Sequence, residues 1–345
     1  MKKLKVAVVG CGGMAKNYNG IYNSELSELT MLIDTNEELV KNMAAELNVP
    51  KWSVNFNDCL SKEIDVVDIS TPNFLHTEQA IKAIEAGKHV LIQKPVAVSV
   101  EETQKIISAA QKNPDVKVGV YMQHRGNPVY REIKEIIKSG LIGQVVSTRA
   151  RRSYTSGLKM KPGTWRGDVK KTGGGSFMQL AVHSLDICMW MLESKISNIS
   201  AISRKVACEN IGGDDITVAM FEYDNGVIGT VETSYCSTGV ETAVYGTEGY
   251  IILNELGAML RMNLNAPFNG RHIKYTEPRK MIEIPVGITR DTMYTADNRY
   301  EQHLEFLRCV AENKPFSVDM NEALYDMKLV ETVYKSSECN KRLDI

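Results

Sequence analysis

The sequence predicts an α/β protein in two parts: a doubly wound parallel sheet, then an α+β domain on an open, predominantly antiparallel sheet. Three observations carry this. Short apolar runs alternate with helix-like stretches through residues 1–124, as in a parallel sheet covered on both faces. A glycine-rich turn, Gly10-Cys11-Gly12-Gly13-Met14-Ala15, closes the first apolar run, Leu4–Val9. Beyond that region, longer runs alternate apolar and polar residues and are joined by hairpin signals, the mark of antiparallel pairing.

The further strands of the first part are expected at Leu29–Ile33, Val66–Ser70, His89–Ile92 and Lys117–Val120. Helices are expected over Glu37–Leu47, Leu75–Ala86 and Val100–Lys112. Ser99 with Glu102 three residues on is a capping box for the last of these, and Gly87 ends the helix before it. A helix around Val129–Lys138 ends at Ser139-Gly140. Strands then follow at Val145–Tyr154, Ile199–Val206, Ile216–Tyr223, Val227–Tyr235 and Thr242–Tyr245, with Asp224-Asn225-Gly226 as a hairpin turn. Such a sheet needs cover on its second face, from helices or from another subunit. An amphipathic helix over Met320–Glu338 returns near the end. The expected domains are therefore residues 1–124 and 125–345, with a ligand cleft between them.

Composition narrows the function. Of 345 residues, 43% are hydrophobic and 24% charged, an ordinary globular balance, and the net charge of −1 gives no reason for a nucleic acid or a membrane surface as partner. Seven cysteines stand singly with no CxxC pair, which fits a cytoplasmic protein better than a disulfide framework. The apolar run after Met1-Lys2-Lys3 is short and ends in the glycine turn, with no cleavage-like site, so no leader is expected. No stretch is long and apolar enough to span a bilayer, and no set of His, Cys, Asp and Glu has metal-ligand spacing.

The glycine turn points to a dinucleotide. Gly10 permits the tight turn, Gly12 lets a pyrophosphate approach the backbone, and Ala15 stands where a third glycine would keep helix and strand close. N–H groups at the start of the helix suit the phosphates. Asp34, after the second strand, is placed to accept hydrogen bonds from the adenosine ribose hydroxyls. Asp34-Thr35-Asn36 offers no Arg or Lys for a 2′-phosphate, which favours NAD over NADP.

Two further places carry chemistry. Gln93-Lys94-Pro95 falls at the carboxyl end of a parallel strand, where ligands of open sheets bind; Lys94 there could touch cofactor and substrate, and the bond to Pro95 could be cis. Gly173-Gly174-Gly175 leads into a helix running to Leu192, whose steps of three and four put Ser176, Gln179, His183, Asp186 and Trp190 on one stripe. Two readings stand for His183: a buried histidine satisfied by its neighbours, or an acid/base facing a nicotinamide. Arg166, beside Trp165, could bind the cofactor or an anionic substrate group. Tyr121, Gln123, His124 and Arg125 follow the fifth strand; they contact substrate or support the domain junction. Arg149, Arg151 and Arg152 read as solvent-facing strand residues, and Arg290, Asp291 and Tyr294 as loose pocket candidates within the aromatic and polar stretch Tyr275–Tyr300. His76 opens a helix near the nucleotide, in a cofactor-binding or a structural role.

Taken together, these residues resemble the Gfo/Idh/MocA family, named for glucose–fructose oxidoreductase and inositol dehydrogenase. The parts occur in family order over nearly the whole chain: Gly10 to Ala15, Ser70-Thr71-Pro72-Asn73 with His76, Ala86-Gly87-Lys88-His89-Val90-Leu91, Lys94-Pro95, Trp165-Arg166, the triple glycine and His183. The resemblance implies a Rossmann domain, a second domain on an open sheet, a bound nicotinamide nucleotide, and redox chemistry at a secondary hydroxyl or ketone of a sugar, glycoside, inositol or related polyol. It implies cofactor contacts from the Gly10–Ala15 turn, Asp34, Thr71, Asn73, His76, Gln93, Lys94 and Arg166, and a catalytic set of Lys94, His183 and Gln179. It also implies pairing of subunits through the sheet, as a homodimer or homotetramer.

Two departures stand out. The family usually has Glu-Lys-Pro where this chain has Gln93-Lys94-Pro95, and often an aspartate where this chain has Gln179. An aspartate would help hold a proton on a nearby cation, whereas Gln179 exchanges only neutral hydrogen bonds. The expected reaction has His183 as general base and Lys94 stabilising the developing alkoxide, with Tyr121, Gln123, Arg125 and Gln179 beside the substrate; without the two acids, Lys94 itself is the alternative base. The competing functions are redox-neutral glycoside cleavage with NAD, and a non-catalytic NAD-binding regulator.

Overall fold

The structure is a computed structural model and describes residues 3–16, 23–254, 257–262, 268–269, 274–275, 282–286 and 296–345. The chain divides into two compact units, Met1–Gln123 with Arg299–Met327, and His124–Asn298 with Lys328–Ile345.

The first unit runs β1 (Leu4–Val9), α1 (Gly13–Lys16), β2 (Ser27–Ile33), α2 (Glu37–Leu47), β3 (Lys51–Ser53), β4 (Val66–Ile69), α3 (Asn73–Glu85), β5 (His89–Gln93), α4 (Val100–Lys112) and β6 (Val118–Tyr121). The strands form one sheet in the order β3-β2-β1-β4-β5-β6, every neighbouring pair parallel. The strand order reverses between β1 and β4, and ligands of doubly wound sheets bind at the carboxyl ends of the strands at such a point. The central strands are buried without a break, Val6 to Val9 and Val66 to Ile69, which is why they read as continuous apolar runs. Ser99 caps α4 as expected, its hydroxyl accepting the Glu102 N–H at 3.1 Å. α3 starts at Asn73, directly after Pro72, two residues earlier than its apolar period suggested.

The second unit contains α5 (Pro128–Lys138), β7 (Val145–Ser153), α6 (Val169–Thr172), and a π-helical turn, Phe177–Ala181, that runs into α7 (Val182–Leu192). Then come β8 (Ile196–Arg204), β9 (Ile216–Tyr223), β10 (Ile228–Ser234), β11 (Gly239–Gly246), β12 (Gly249–Asn254), β13 (Gly257–Met262), the short pair β14 (Phe268–Asn269) and β15 (Lys274–Tyr275), and β16 (Ile282–Val286). The last elements of the chain are α8 (Ala296–Ala311), α9 (Met320–Cys339) and β17 (Leu343–Asp344). The large sheet has the order β16-β13-β12-β11-β7-β10-β9-β8-β17; β7 and β10 are parallel and all other neighbours antiparallel. Gly226, at a positive φ of 82°, makes the β9–β10 turn.

Alternation along β9 sorts the two faces. Thr217, Ala219, Phe221 and Tyr223 are buried, while Val218 and Met220 are exposed. α7 packs on β7 and on α5, and its Leu185, Ile187 and Cys188 are buried. The far end of α9 is tied to β8, where the Ser336 and Ser337 hydroxyls accept the Ala201 and Ser203 N–H groups.

Three expectations are corrected here. Residues 299–327, placed with the second domain by sequence, belong to the first unit: Phe306 and Phe316 stack edge to face against Gly119, where a Cβ would lie 2.4 Å from Phe316, and the Val318 carbonyl accepts the Val120 N–H. Arg152 is not solvent-facing but buried, close enough to Cys188 to act on its thiol; Arg149 is exposed and Arg151 half-buried. The polar stripe assumed one regular helix, but the π turn rotates Ser176 and Gln179 relative to the residues after it.

Candidate active site

In the first unit the glycine turn is built by close backbone approach. Gly10 has a φ of 98°, its N–H donates to the Ile33 carbonyl, and a Cβ on it would lie 2.6 Å from the Ser70 carbonyl oxygen. The turn therefore meets the Ser70-Thr71 loop at the switch point of the sheet. Among the described residues, a Cβ on Gly12 would meet nothing within 4 Å, as close approach of a pyrophosphate needs. Ala15 is buried.

Asp34 ends β2. Its Oδ2 accepts the Cys11 N–H at 2.8 Å and its Oδ1 the Asn36 N–H at 2.9 Å. Each oxygen keeps acceptor capacity, and the residue is half-buried, so the carboxylate both fixes the turn and can receive ribose hydroxyls. Cys11 is buried against it. Burial, with the Asp34 charge second, pushes its thiol up to about 12, so it is not a nucleophile.

The remaining first-unit candidates line the same sheet edge. Gln93 is buried and pairs in register with Tyr121, also buried, at the ends of β5 and β6. Lys94 follows, half-buried, and its bond to Pro95 is cis. Thr71 donates its hydroxyl to Gln79, and Asn73 is buried. His76 is wholly buried, with Nδ1 2.9 Å from the Pro95 carbonyl oxygen and Nε2 2.8 Å from that of Thr71. A neutral imidazole donates its one N–H to only one of these carbonyls, and the ring lies between the Thr71 loop and the Lys94-Pro95 turn. Burial lowers its proton affinity, against the pull of those carbonyls.

In the second unit the triple glycine carries the chain into the π turn. A Cβ on Gly175 would lie 1.9 Å from the Asp214 carbonyl oxygen. The Asp214 carboxylate is a hub: it accepts the Gly175 and Phe177 N–H groups and the hydroxyls of Ser176, Thr217 and Tyr334. The Tyr334 hydroxyl in turn accepts the Met178 N–H. This clamp was missed in the sequence; its signal is Gly212-Gly213-Asp214-Asp215, a run with no period of its own.

His183 and Gln179 are buried, and Gln179 donates its side-chain N–H to the Thr172 carbonyl. Asp186 lies one turn beyond His183 and is chelated by Arg125 through Nε and Nη2. Arg125 is therefore engaged in a buried ion pair. The His124 ring stands edge to face on His183 at 4.9 Å. Arg166, in the turn Trp165–Gly167, lies over the Trp165 ring, and its Nη1 is buried with no hydrogen-bond partner among the described residues. Gln123 is half-buried. Arg290, Asp291 and Tyr294 lie outside the described residues. Among the described residues, no group of three His, Cys, Asp or Glu is placed to hold a metal ion.

Comparison with known proteins follows this division. The profile of the oxidoreductase family's NAD-binding Rossmann fold matches residues 4–122, and that of the GFO/IDH/MocA C-terminal domain matches residues 130–252. The chain belongs to the Gfo/Idh/MocA family of oxidoreductases. It is similar to scyllo-inositol 2-dehydrogenase (NAD(+)) of Bacillus subtilis, 29% identical over 74% of this chain and 75% of that one. It is also similar to levoglucosan dehydrogenase of Pseudarthrobacter phenanthrenivorans, 27% identical over 98% of each chain. The solved structure of levoglucosan dehydrogenase in complex with NADH and levoglucosan shares the fold, with a TM-score of 0.84 and 21% identity over 100% of both chains.

Proposed function

We propose that this protein is an NAD-dependent dehydrogenase acting on a secondary hydroxyl of a sugar, glycoside or cyclitol. The observation that carries the reading is that both Lys94, at the end of β5, and His183, buried on α7, are retained in a chain that matches the family over both halves. The relatives named for scyllo-inositol and levoglucosan support the substrate class. Asp34 with Thr35-Asn36 behind it supports NAD over NADP, since no cation stands there for a 2′-phosphate.

When bound, the nicotinamide supplies a hydride acceptor. The residues do the rest. The Gly10–Ala15 turn and Asp34 hold the nucleotide, with Thr71 and Asn73 beside it. His183 takes the hydroxyl proton as the carbon–hydrogen bond gives up its hydride, leaving a ketone. Lys94 donates to the substrate oxygen and stabilises the developing alkoxide. Arg166, its Nη1 without a hydrogen-bond partner among the described residues, binds the cofactor or a polar substituent of the substrate. Copies pair through the open face of the large sheet, where Ile202, Val218, Met220 and Ile228 are exposed. The seven free thiols accord with a reducing, cytoplasmic setting.

The test is a screen of the purified protein with NAD against sugars, inositols, sugar acids and glycosides, following NADH absorbance and product mass together. NADH formation that is lost in His183→Ala supports the dehydrogenase. A released aglycone with no net NADH would replace it with redox-neutral glycoside cleavage.

A further inference from the structure

We propose that Cys208 and Cys236 are a redox pair: an oxidant of the peroxide class joins them in a disulfide that locks the segment carrying Asp214. The claim stands apart from the substrate reading, since neither thiol takes part in the reaction proposed above.

Two connecting segments bring the thiols together. Residues 205–215 link β8 to β9, and residues 235–238 link β10 to β11. The first segment is wrapped on Asp215, whose carboxylate accepts the Val206, Ala207 and Cys208 N–H groups at 2.8, 2.7 and 2.6 Å. Lys205 staples it by donating to the Glu209 and Ile211 carbonyls. The Asp215 carbonyl accepts the Tyr235 N–H at 2.8 Å, which fixes the second segment on the first. Cys208 is buried with Ile211 and Tyr235, and Cys236 packs against that cluster. The Cys208 sulfur lies 3.5 Å from the Tyr235 carbonyl oxygen, which belongs to the peptide bond leading into Cys236. The Cys236 sulfur lies 4.0 Å from the Asp215 carbonyl oxygen and 3.2 Å from the Ser234 hydroxyl. The thiols are close enough for Cys208 to feel the charge of Cys236.

The two thiols differ in reach. Cys208 is buried, and burial, with the Asp215 charge second, pushes its thiol up to about 11; Cys236 is half-buried and meets the oxidant first. Its sulfur attacks the peroxide O–O bond, giving a sulfenic acid and one water. The Cys208 sulfur then displaces hydroxide from that sulfur, and the hydroxide leaves as a second water with the Cys208 proton. The two thiols lose two electrons and two protons, and the peroxide takes both. Closing the bond brings the two Cβ atoms to roughly 4 Å. In a reducing compartment such a bond is transient, so it acts as a switch and not as a structural staple. Its target is the start of α7. Asp214, at the end of the tethered segment, holds the Gly175 and Phe177 N–H groups, and the Gly212 N–H donates to the Arg166 carbonyl. Tying residues 205–215 to the end of β10 stiffens both contacts.

The experiment is a titration of the full chain with hydrogen peroxide, followed by digestion after glutamate and mass spectrometry. Cleavage after Glu193, Glu209, Glu232 and Glu241 puts Cys208 in the peptide 194–209 and Cys236 in the peptide 233–241. The expected product is these two peptides joined, lighter than their sum by two hydrogen atoms and separated again by dithiothreitol. Cys208→Ser should leave a sulfenic acid on Cys236, trapped by dimedone, and Cys236→Ser should leave Cys208 reduced at the same dose. Hydrogen exchange reads the lock: amides of residues 175–178 and 206–212 should exchange several-fold more slowly in the oxidised protein. Sulfinic acid on Cys236 with Cys208 still a thiol, or a crosslink through the exposed Cys339 in place of this one, would overturn the pair. Exchange left unchanged in fully crosslinked protein would overturn the lock.

Discussion

Asp34 holds the Cys11 N–H, and so the glycine turn, a task that the sequence alone did not show. Its remaining acceptor capacity is what the proposed ribose contact needs. Hydrogen bonds to a charged group contribute about 1.5–3 kcal/mol. Asp34→Ala should therefore weaken NAD binding by roughly tenfold or more in a calorimetric titration; unchanged affinity would place the ribose elsewhere. A second carboxylate, Asp68, is buried in the first unit with its Oδ2 3.9 Å from His303 Nδ1. Burial pushes Asp68 up to about 7 and His303 down to about 4. The raised acid makes stability fall as pH rises from its unfolded value, about 3.9, to about 7. The lowered imidazole makes stability rise from about 4 to its unfolded value, about 6.5. The two oppose each other in the native protein. In Asp68→Asn only the second remains, so the stability of the variant relative to wild type should climb between those limits, by up to about 1.4 kcal/mol per pH unit. A difference that stays flat with pH in thermal melts would contradict this.

At the scale of elements, the helix carrying His183 starts at a clamp and not at an ordinary cap. Asp214 gathers two backbone N–H groups and three hydroxyls, and Gly175 is packed against its backbone. Asp214→Asn should cost about 2–3 kcal/mol in denaturant unfolding, and Gly175→Ala more, because a Cβ 1.9 Å from a carbonyl oxygen forces the backbone apart. Equal midpoints for wild type and Asp214→Asn would show the hub to be dispensable. This part of the site was poorly legible in sequence for a physical reason. β1, α2, α4 and β9 begin and end where their own periods and caps put them, because local patterning determines them. The π turn, the Asp214 hub and the Arg125–Asp186 pair depend on residues far apart in the chain. For the same reason, nothing local reveals that the His76 ring nitrogens lie beside the Pro95 and Thr71 carbonyls.

At the scale of the molecule, the two architectures were legible because a parallel sheet and a half-exposed antiparallel sheet write different periods into the chain. The return of residues 299–327 to the first unit was not, since Phe306, Phe316 and Val318 find Gly119 and Val120 only through the tertiary fold. The open sheet face carries a further prediction. The proposed pairing predicts an oligomer for the wild type in light scattering after size exclusion, shifted toward monomer by Met220→Lys, on the exposed side of β9, with the secondary structure unchanged. A wild-type protein that is already monomeric would remove the sheet as an interface. The most direct test of hydride transfer supported by His183 uses a sugar or cyclitol substrate carrying deuterium at the carbon to be oxidised. The expected result is deuterium on the reduced nicotinamide by mass spectrometry, formed on the order of 100-fold or more slowly by His183→Ala. Turnover that sends the deuterium to water instead, at a rate His183→Ala leaves unchanged, would contradict it.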